Sequence, residues 1–177
     1  MSGSPLPSGN PAAPEDIVLE AQLLEIIISP GHDYWGRQGE GRLQSGVIHR
    51  DEIECVAGKG LRGDRYFGFR ENFKGQVTFF DQAVYEQIKA EFRLPRLPAS
   101  VFRRNLIISG VNLKFLIGKR FWFQGICFEG SQECKPCHWM DRAVTEGVED
   151  FMKLEGRGGL RAKVLTCGIL RTSVPPK

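Results

Sequence analysis

The stretch that decides the fold is Gln76-Val77-Thr78-Phe79-Phe80-Asp81, which runs directly into a segment of helical spacing. β-branched and aromatic side chains dominate its first part, and that composition favours a strand. Asp81 stands where a helix N-cap is expected, and the apolar side chains behind it recur at helical spacing. These apolar residues are Val84, Tyr85, Ile88 and Phe92. The sequence therefore predicts a strand followed by a helix, which Pro95 and Pro98 end.

Short apolar runs between turn residues continue on both sides of this stretch. The 21 glycines and 10 prolines punctuate them in the manner of many short strands. The further predicted strands are the second half of Val18–Ile28 and the runs 46–49, 53–56, 106–108, 120–124, 126–130, 160–165 and 169–171. A second helix is predicted from Ala143 to Leu154. Many strands and few helices predict a mostly β, α+β fold with a β-barrel-like core.

Length and charge limit the classes of protein that the chain can represent. Its 177 residues suit one domain, predicted over residues 17–174, behind a flexible arm at residues 1–16. A net charge of +3 is too small to favour nucleic acid as a partner. No apolar stretch is long enough for a membrane span, and the first residues lack the features of a signal peptide. We therefore expect a cytoplasmic protein with reduced cysteines.

The turn Cys134-Lys135-Pro136-Cys137 is the first candidate for chemistry. A thiolate can act as a metal ligand or as a nucleophile, and Lys135 would favour that anion. Pro136 would stiffen the turn and present Cys137 at a fixed angle. His138 could donate a proton beside Cys137, although adjacent side chains often point apart. The motif alone leaves open a metal site, a redox pair and a structural pair of thiols.

The other three cysteines, Cys55, Cys127 and Cys167, are interpreted as small buried hydrophobic residues. A structural zinc site would need a second pair of ligands. Cys127 and Cys167 are far apart in sequence and lie in predicted strands. A zinc ribbon is therefore not expected.

Three glycine-rich or arginine-rich segments could bind an oxyanion. In Gly58–Tyr66, glycines allow close backbone approach beside Lys59 and Arg65. This segment matches neither a Walker loop nor the dinucleotide fingerprint. The alternative interpretation is a solvated glycine turn.

The second segment contains Arg103, Arg104 and Asn105, and the third contains Arg157 and Gly158. Arginine suits bidentate contacts with phosphate, and asparagine can donate and accept hydrogen bonds. Adjacent arginines on extended backbone point to opposite sides, so at most one of them need face a pocket. The alternatives are a charged entrance to a strand and an ordinary turn from helix to strand.

Taken together and in order, these segments resemble the MOSC family, which is named for the C-terminal domain of molybdenum-cofactor sulfurases. The resemblance runs from about Ile26 to Arg171, and residues 28–36 look like those of small stand-alone bacterial members. No single motif is specific, but their ordered combination is. The matching segments are 60–66, 76–79, 102–106, 116–118, 135–137 and 156–159.

The resemblance implies a β-barrel-like fold with a few helices and an association with the molybdenum cofactor, molybdopterin. It carries the family's reactive cysteine over to Cys137, as metal ligand and catalytic residue. It also makes the neighbouring basic and polar residues candidates for binding the cofactor. These candidates are Lys59, Arg65, Arg104 and Arg157 for the pterin phosphate, Asn105 for the pterin, and Gly158 for close backbone approach.

Three features depart from the family pattern. Tyr66 stands where a histidine is usual, which removes a possible imidazole ligand. Arg104 stands where a glutamate is usual, which exchanges an acid for a base. Cys134 is an added thiol whose role is open.

The resemblance implies two functions for Cys137. In the first, the chain is a molybdenum-dependent oxidoreductase that reduces N-hydroxylated compounds with electrons from a partner protein. In the second, it carries sulfur as a persulfide, or carries the cofactor, for the maturation of molybdoenzymes. The sulfur would then come from a separate cysteine desulfurase with pyridoxal phosphate, because this chain has no room for that domain. A thiol redox module and a ligand-binding barrel with inert thiols are the remaining alternatives.

Overall fold

The computed structural model describes residues 16–33 and 43–173. All of the predicted N-terminal arm except Asp16 lies outside the described residues, as do residues 34–36 of the early matching segment and residue 174. The described strands are β1 Ile17–Val18, β2 Gln22–Ile28, β3 Ile48–Arg50, β4 Glu52–Val56, β5 Gly60–Leu61, β6 Val77–Asp81, β7 Leu106–Ser109, β8 Arg120–Phe123, β9 Ile126–Glu133, β10 Leu160–Val164 and β11 Gly168–Arg171. The described α-helices are α1 Gln82–Glu91, α2 Trp139–Ala143 and α3 Val148–Lys153.

Eight of these strands form one mixed sheet in the order β1-β8-β9-β10-β6-β7-β2-β3. The pairs β1–β8 and β6–β7 are parallel, and the other pairs are antiparallel. A smaller sheet has the order β11-β4-β5. The predicted fold class, mostly β with a few helices, is confirmed. Among the described strands, β1 and β3 are the two edges of this sheet and do not pair with each other. The sequence predicted a barrel-like core.

The large sheet has a core on each face because successive side chains of a strand alternate. Ile26 and Ile28 of β2 join the apolar cluster that includes Cys55 of β4 and Leu170 of β11. Ile27 points the other way, into a cluster with residues of α1 and α3. Strands β6 and β7 divide their side chains between the two clusters in the same way. The small sheet therefore covers one face and the helices cover the other.

The strand and helix that opened the sequence analysis are confirmed. Strand β6 passes directly into α1, and the Asp81 side chain accepts a hydrogen bond from the backbone N–H of Ala83. The strands predicted over 120–124 and 126–130 are β8 and β9, which form a hairpin joined by Gln124 and Gly125, both with positive φ. Positive φ at both central residues is typical of a tight hairpin turn.

Two sequence predictions are wrong in detail. The helix predicted over residues 143–154 begins too early, since α2 already ends at Ala143 and α3 begins only after Gly147, whose φ is +90°. A left-handed glycine breaks a continuous helix. Cys167 is exposed, because it precedes β11 in a turn instead of lying inside a strand. No helix within the described residues has the length and apolar character required to cross a membrane.

Candidate functional site

The turn Cys134–Cys137, here called the cysteine turn, leaves the sheet at the end of β9. Its first residue is still held in sheet fashion, since the Cys134 N–H donates to the Gly159 carbonyl at 2.8 Å. Cys134 is only 4% exposed. Cys137 is exposed, and its carbonyl accepts from the N–H of Met140 in the first turn of α2. The turn therefore buries one thiol and presents the other to solvent.

Glycine at position 158 allows the cysteine turn to lie against the loop before β10. A Cβ atom at Gly158 would lie 2.2 Å from the Cys134 carbonyl oxygen and 3.0 Å from Cδ of Pro136. The next residue, Gly159, has a φ of +95° and approaches the Phe79 carbonyl of β6 as closely. The glycines of the matching segment 156–159 thus allow close packing of backbone on backbone.

The Arg104 side chain fixes this arrangement from the helical side of the sheet. Its Nε donates to the Gly158 carbonyl at 3.0 Å, Nη1 to the Phe102 carbonyl at 3.1 Å, and Nη2 to the Cys134 carbonyl at 3.1 Å. Arg104 is only 9% exposed. Among residues 16–33 and 43–173, no carboxylate forms an ion pair with it. A buried cation beside the cysteine turn is therefore balanced by carbonyl dipoles alone.

The neighbouring Asn105 belongs to a second buried network. Its Oδ1 accepts from the N–H and the hydroxyl of Thr78, and its Nδ2 donates to the Ile27 carbonyl and to Oδ2 of Asp64. Oδ2 of Asp64 also accepts from the N–H of Ser29, and Oδ1 accepts from the N–H of Tyr66. The asparagine amide therefore uses its two N–H groups and both lone pairs of its oxygen within the protein.

Arg65 is held at the edge of that network. Its Nη1 lies 3.6 Å from Oδ2 of Asp64, and its guanidinium lies 4.7 Å from the centre of the Tyr66 ring. The Arg65 side chain is 13% exposed, yet Nη1 is buried and has no hydrogen-bond partner. The pKa of His32 is lowered, first by burial and then by the positive charges of Arg65 and Arg103. The Asp64 carboxylate acts in the opposite direction on the pKa of His32.

Arg103 and Arg104 contact different segments, as the sequence predicted. Arg103 donates to the carbonyls of Gly31 and Ser45 and pairs with Asp33 at 3.1 Å. It therefore holds residues 31–33 to residue 45.

The Arg157 guanidinium and Lys59 have contacts outside the cysteine turn. The Arg157 guanidinium lies 4.3 Å from the Phe151 ring centre, bonds the Phe151 carbonyl, and lines a cleft of about 290 Å³ with Lys114. Lys59 lies in the turn before β5, where Gly58 donates to Val164 at the end of β10. Since Gly158 precedes the start of β10, roughly 13 Å of strand separates the two turns. The fold brings together Arg104, Gly158 and Cys134. The Arg157 guanidinium packs on Phe151, although residue 157 directly precedes Gly158, and Lys59 lies at the other end of β10.

His138 follows Cys137 and packs against the next residue. Its ring centre lies 4.5 Å from that of Trp139, and its Nε2 is buried without a hydrogen-bond partner. The proton-donor hypothesis for His138 stays a prediction. Within the described ranges, no three histidine, cysteine or acidic side chains are grouped as ligands for a metal ion.

Sequence reasoning missed the roles of Thr78 and Asp64. Thr78 was treated as a strand residue, but its hydroxyl accepts from the N–H of Asn105 at 2.9 Å. The Asp64 carboxylate accepts hydrogen bonds from the N–H of Ser29 and from Nδ2 of Asn105. Thr78 and Asn105 are 27 residues apart in sequence, and Asp64 is 35 residues from Ser29 and 41 from Asn105. No local sequence pattern signals contacts over such separations.

Solved structures share this arrangement of a mixed sheet and helices. YuaD from Bacillus subtilis has a TM-score of 0.65 and 19% identity, covering 86% of this chain and 91% of that one. YiiM from Escherichia coli has a TM-score of 0.57 and 18% identity, covering 83% of this chain and 65% of that one. YiiM from Geobacillus stearothermophilus has a TM-score of 0.59 and 15% identity, covering 86% and 71%.

The chain spans 60% of the length of another solved neighbour, described as a hypothetical protein. At these identities the neighbours show the fold alone. No curated protein matches the chain by sequence.

The fold and the site define a small mixed-sheet protein that presents one exposed thiol on a tightly held turn. The family model of the MOSC domain matches residues 54–173, which include the cysteine turn and both arginine-rich networks. The chain therefore belongs to the MOSC domain family, a family associated with molybdenum-cofactor proteins.

Proposed function

We propose that this protein binds the molybdenum cofactor through the Cys137 thiolate and reduces N-hydroxylated compounds. The observation that carries the proposal is the exposed Cys137 thiol on a turn whose first residue, Cys134, is bonded to the buried Arg104 guanidinium. A thiolate is a soft ligand that suits molybdenum and leaves other positions open to substrate.

The residues present fit such a cofactor. Nη1 of Arg65 is buried and makes no hydrogen bond within the described residues, and the Asp64 carboxylate lies 3.6 Å away, which suits a donor to a phosphate or pterin oxygen. Cys137 would hold the metal, and Arg65 would bind the phosphate. Asn105 would act through Asp64, which orients Arg65, because its own amide is fully bonded. Lys59, Arg157 and Gly158 remain predicted cofactor contacts.

When bound, the molybdenum cofactor supplies two-electron redox chemistry. Reduction of a hydroxylamine to an amine uses two electrons and two protons and releases water. Cys137 would hold the metal near the surface, where a partner protein could deliver the electrons and solvent could deliver the protons. The cysteine turn keeps this thiol in one place, since its backbone is bonded to Gly159 and Arg104.

Metal analysis of protein from a cofactor-producing host tests this proposal. The wild type should contain close to one molybdenum per chain and should reduce a hydroxylamine substrate when a reductant is supplied. Cys137→Ser should lose both, whereas Cys167→Ser, which also removes an exposed thiol, should keep both. Absence of molybdenum and pterin from the wild type, before and after reconstitution, would overturn the proposal.

The exposure of Cys137 also favours a second candidate, a sulfur carrier. An exposed thiol can accept sulfur from the persulfide of a cysteine desulfurase, whereas the buried Cys134 cannot be reached in the same way. After incubation with a desulfurase and cysteine, mass spectrometry should find one additional reducible sulfur on Cys137. A persulfide spread equally over Cys137 and Cys167 would contradict this function.

A further inference from the structure

We propose that Arg104 is a positioning residue, which holds the cysteine turn so that Cys137 is presented while Cys134 stays buried. The inference rests on the proposed function only in naming Cys137 as the working thiol. Arg104 was predicted from the sequence as a phosphate contact. Its hydrogen bonds assign it to the protein backbone instead.

The Arg104 guanidinium is surrounded by hydrogen-bond acceptors. Carbonyl oxygens of Phe102, Cys134 and Gly158 converge on one guanidinium, from segments 54 and 30 residues away and from its own loop. Each of its three nitrogens donates to a different carbonyl, and the planar fork fits three separate directions. A side chain without donors would leave these buried carbonyl oxygens unsatisfied.

The same geometry explains why this chain tolerates a base where the resemblance leads us to expect an acid. A carboxylate at position 104 would meet three oxygen atoms and no donor. The close contact of Gly158 with Cys134 provides the complementary part, since it brings two of the carbonyls to the same guanidinium. The residues at 104, 134 and 158 therefore form one unit that determines where the cysteine turn lies.

The cysteines provide their own assay for this role. In the wild type, Cys137 and Cys167 are exposed, while Cys134, Cys55 and Cys127 are buried. Iodoacetamide labelling followed by peptide mass spectrometry gives a rate for each thiol. Labelling of a buried thiol follows the population of locally open molecules, so it reports on the turn separately from the rest of the fold.

In Arg104→Met, the labelling rate of Cys134 relative to Cys137 should rise about tenfold or more, because the Cys134 carbonyl loses a charged donor. Cys55 lies in the small sheet and should stay protected, which separates loosening of the turn from unfolding. Arg103→Met is the matched control, since it removes a guanidinium from the adjacent position whose contacts lie elsewhere. It should leave Cys134 protected.

Arg104→Lys is the conservative variant and should restore part of the protection. A lysine ammonium keeps the charge and can reach some of the carbonyls, but it lacks the planar fork. Protection of Cys134 equal to the wild type in Arg104→Met would overturn the proposal. Equal labelling gains at Cys134 and Cys55 would also overturn it, since Arg104 would then support the whole fold. The assay uses no cofactor, so its result is independent of whether Cys137 binds molybdenum.

Discussion

The protein contains two places where a buried thiol lies near an exposed one, and their surroundings differ. In the cysteine turn, Cys134 is buried and Cys137 exposed, with the Arg104 guanidinium bonded to the turn. In the small sheet, Cys55 is buried opposite Gly168, and the exposed Cys167 accepts a hydrogen bond from the N–H of Ala57. Exposure alone therefore does not distinguish the two sites.

The electrostatic environment does distinguish them. Burial, together with smaller contributions from the nearby Cys167 and Glu54, raises the pKa of Cys55 to about 12. Those neighbours oppose a thiolate, whereas the cysteine turn is bonded to a cation and includes Lys135. The comparison shows that a guanidinium is bonded to the cysteine turn, whereas burial and its neighbours favour the protonated form of the Cys55 thiol.

The largest expected effect is that of reversing the charge in the cysteine turn. Arg104→Glu should lower the free energy of unfolding by about 3–5 kcal/mol, because a buried carboxylate would face three carbonyl oxygens. Arg171→Glu in the small sheet should cost less than about 1 kcal/mol, since Arg171 is exposed and pairs with the exposed Glu52. Urea unfolding of both variants measures the difference, and equal losses would contradict the comparison.

The second-largest expected effect is the loss of stability when a glycine of the cysteine turn region, rather than one of the small sheet, is replaced by alanine. Gly158→Ala should cost about 2–4 kcal/mol, because its Cβ would overlap the Cys134 carbonyl oxygen at 2.2 Å. Gly168→Ala, beside Cys55, meets side-chain atoms of Ile126 at 2.6 Å and 2.9 Å, which can move. Its cost should be about 1 kcal/mol by the same urea measurement. A larger loss of stability in Gly168→Ala than in Gly158→Ala would contradict the interpretation that the cysteine turn is packed more tightly than the small sheet.

The raised pKa of Cys55 should appear as a pH dependence of stability. A group whose folded-state pKa is raised stabilises the fold fully below its unfolded pKa, which is about 9.0 here, and loses that contribution as the pH rises toward about 12. The free energy of unfolding should therefore fall by roughly 1 kcal/mol more between about pH 8 and about pH 10 than in Cys55→Ala. If the free energy of unfolding depends on pH in the same way in the wild type and in Cys55→Ala, the pKa of Cys55 is not raised by burial in the small sheet.

The smallest expected effects are those of serine in place of single thiols. Cys134→Ser buries a hydroxyl and should cost about 1 kcal/mol. Cys167→Ser is exposed and should change stability by less than about 0.5 kcal/mol. Thermal unfolding of the two variants gives the ranking, and a reversed order would place the better-packed thiol in the small sheet.

Local sequence patterns predict the parts of the fold that depend on local physics. The β-rich run before Asp81 and the cap itself predict β6 and α1, and the glycine at 125 predicts the β8–β9 hairpin. The break at Gly147 was not predicted, because apolar side chains on both sides of it keep helical spacing. Exposure of Cys167 was not predicted either, since the end of β10 depends on pairing with β9.

The candidate site could be predicted only as a set of residue types. The Cys134–Cys137 motif and the arginine-rich segments were recognised, but which of them meet depends on strand order. Arg104 reaches Cys134 and Gly158 because β7, β9 and β10 belong to one sheet. Lys59 looked equivalent to the other basic residues, yet it lies at the far end of β10. Long-range pairing of this kind leaves no signal in a short window of sequence.

The most direct test of the account is X-ray absorption spectroscopy at the molybdenum edge of the loaded protein. Comparison of the wild type with Cys137→Ser and Cys167→Ser counts the sulfur atoms bound to the metal. The account predicts that Cys137→Ser either loses one sulfur ligand or fails to retain molybdenum, while Cys167→Ser matches the wild type. An unchanged sulfur count in molybdenum-loaded Cys137→Ser would contradict the assignment of Cys137 as the metal ligand.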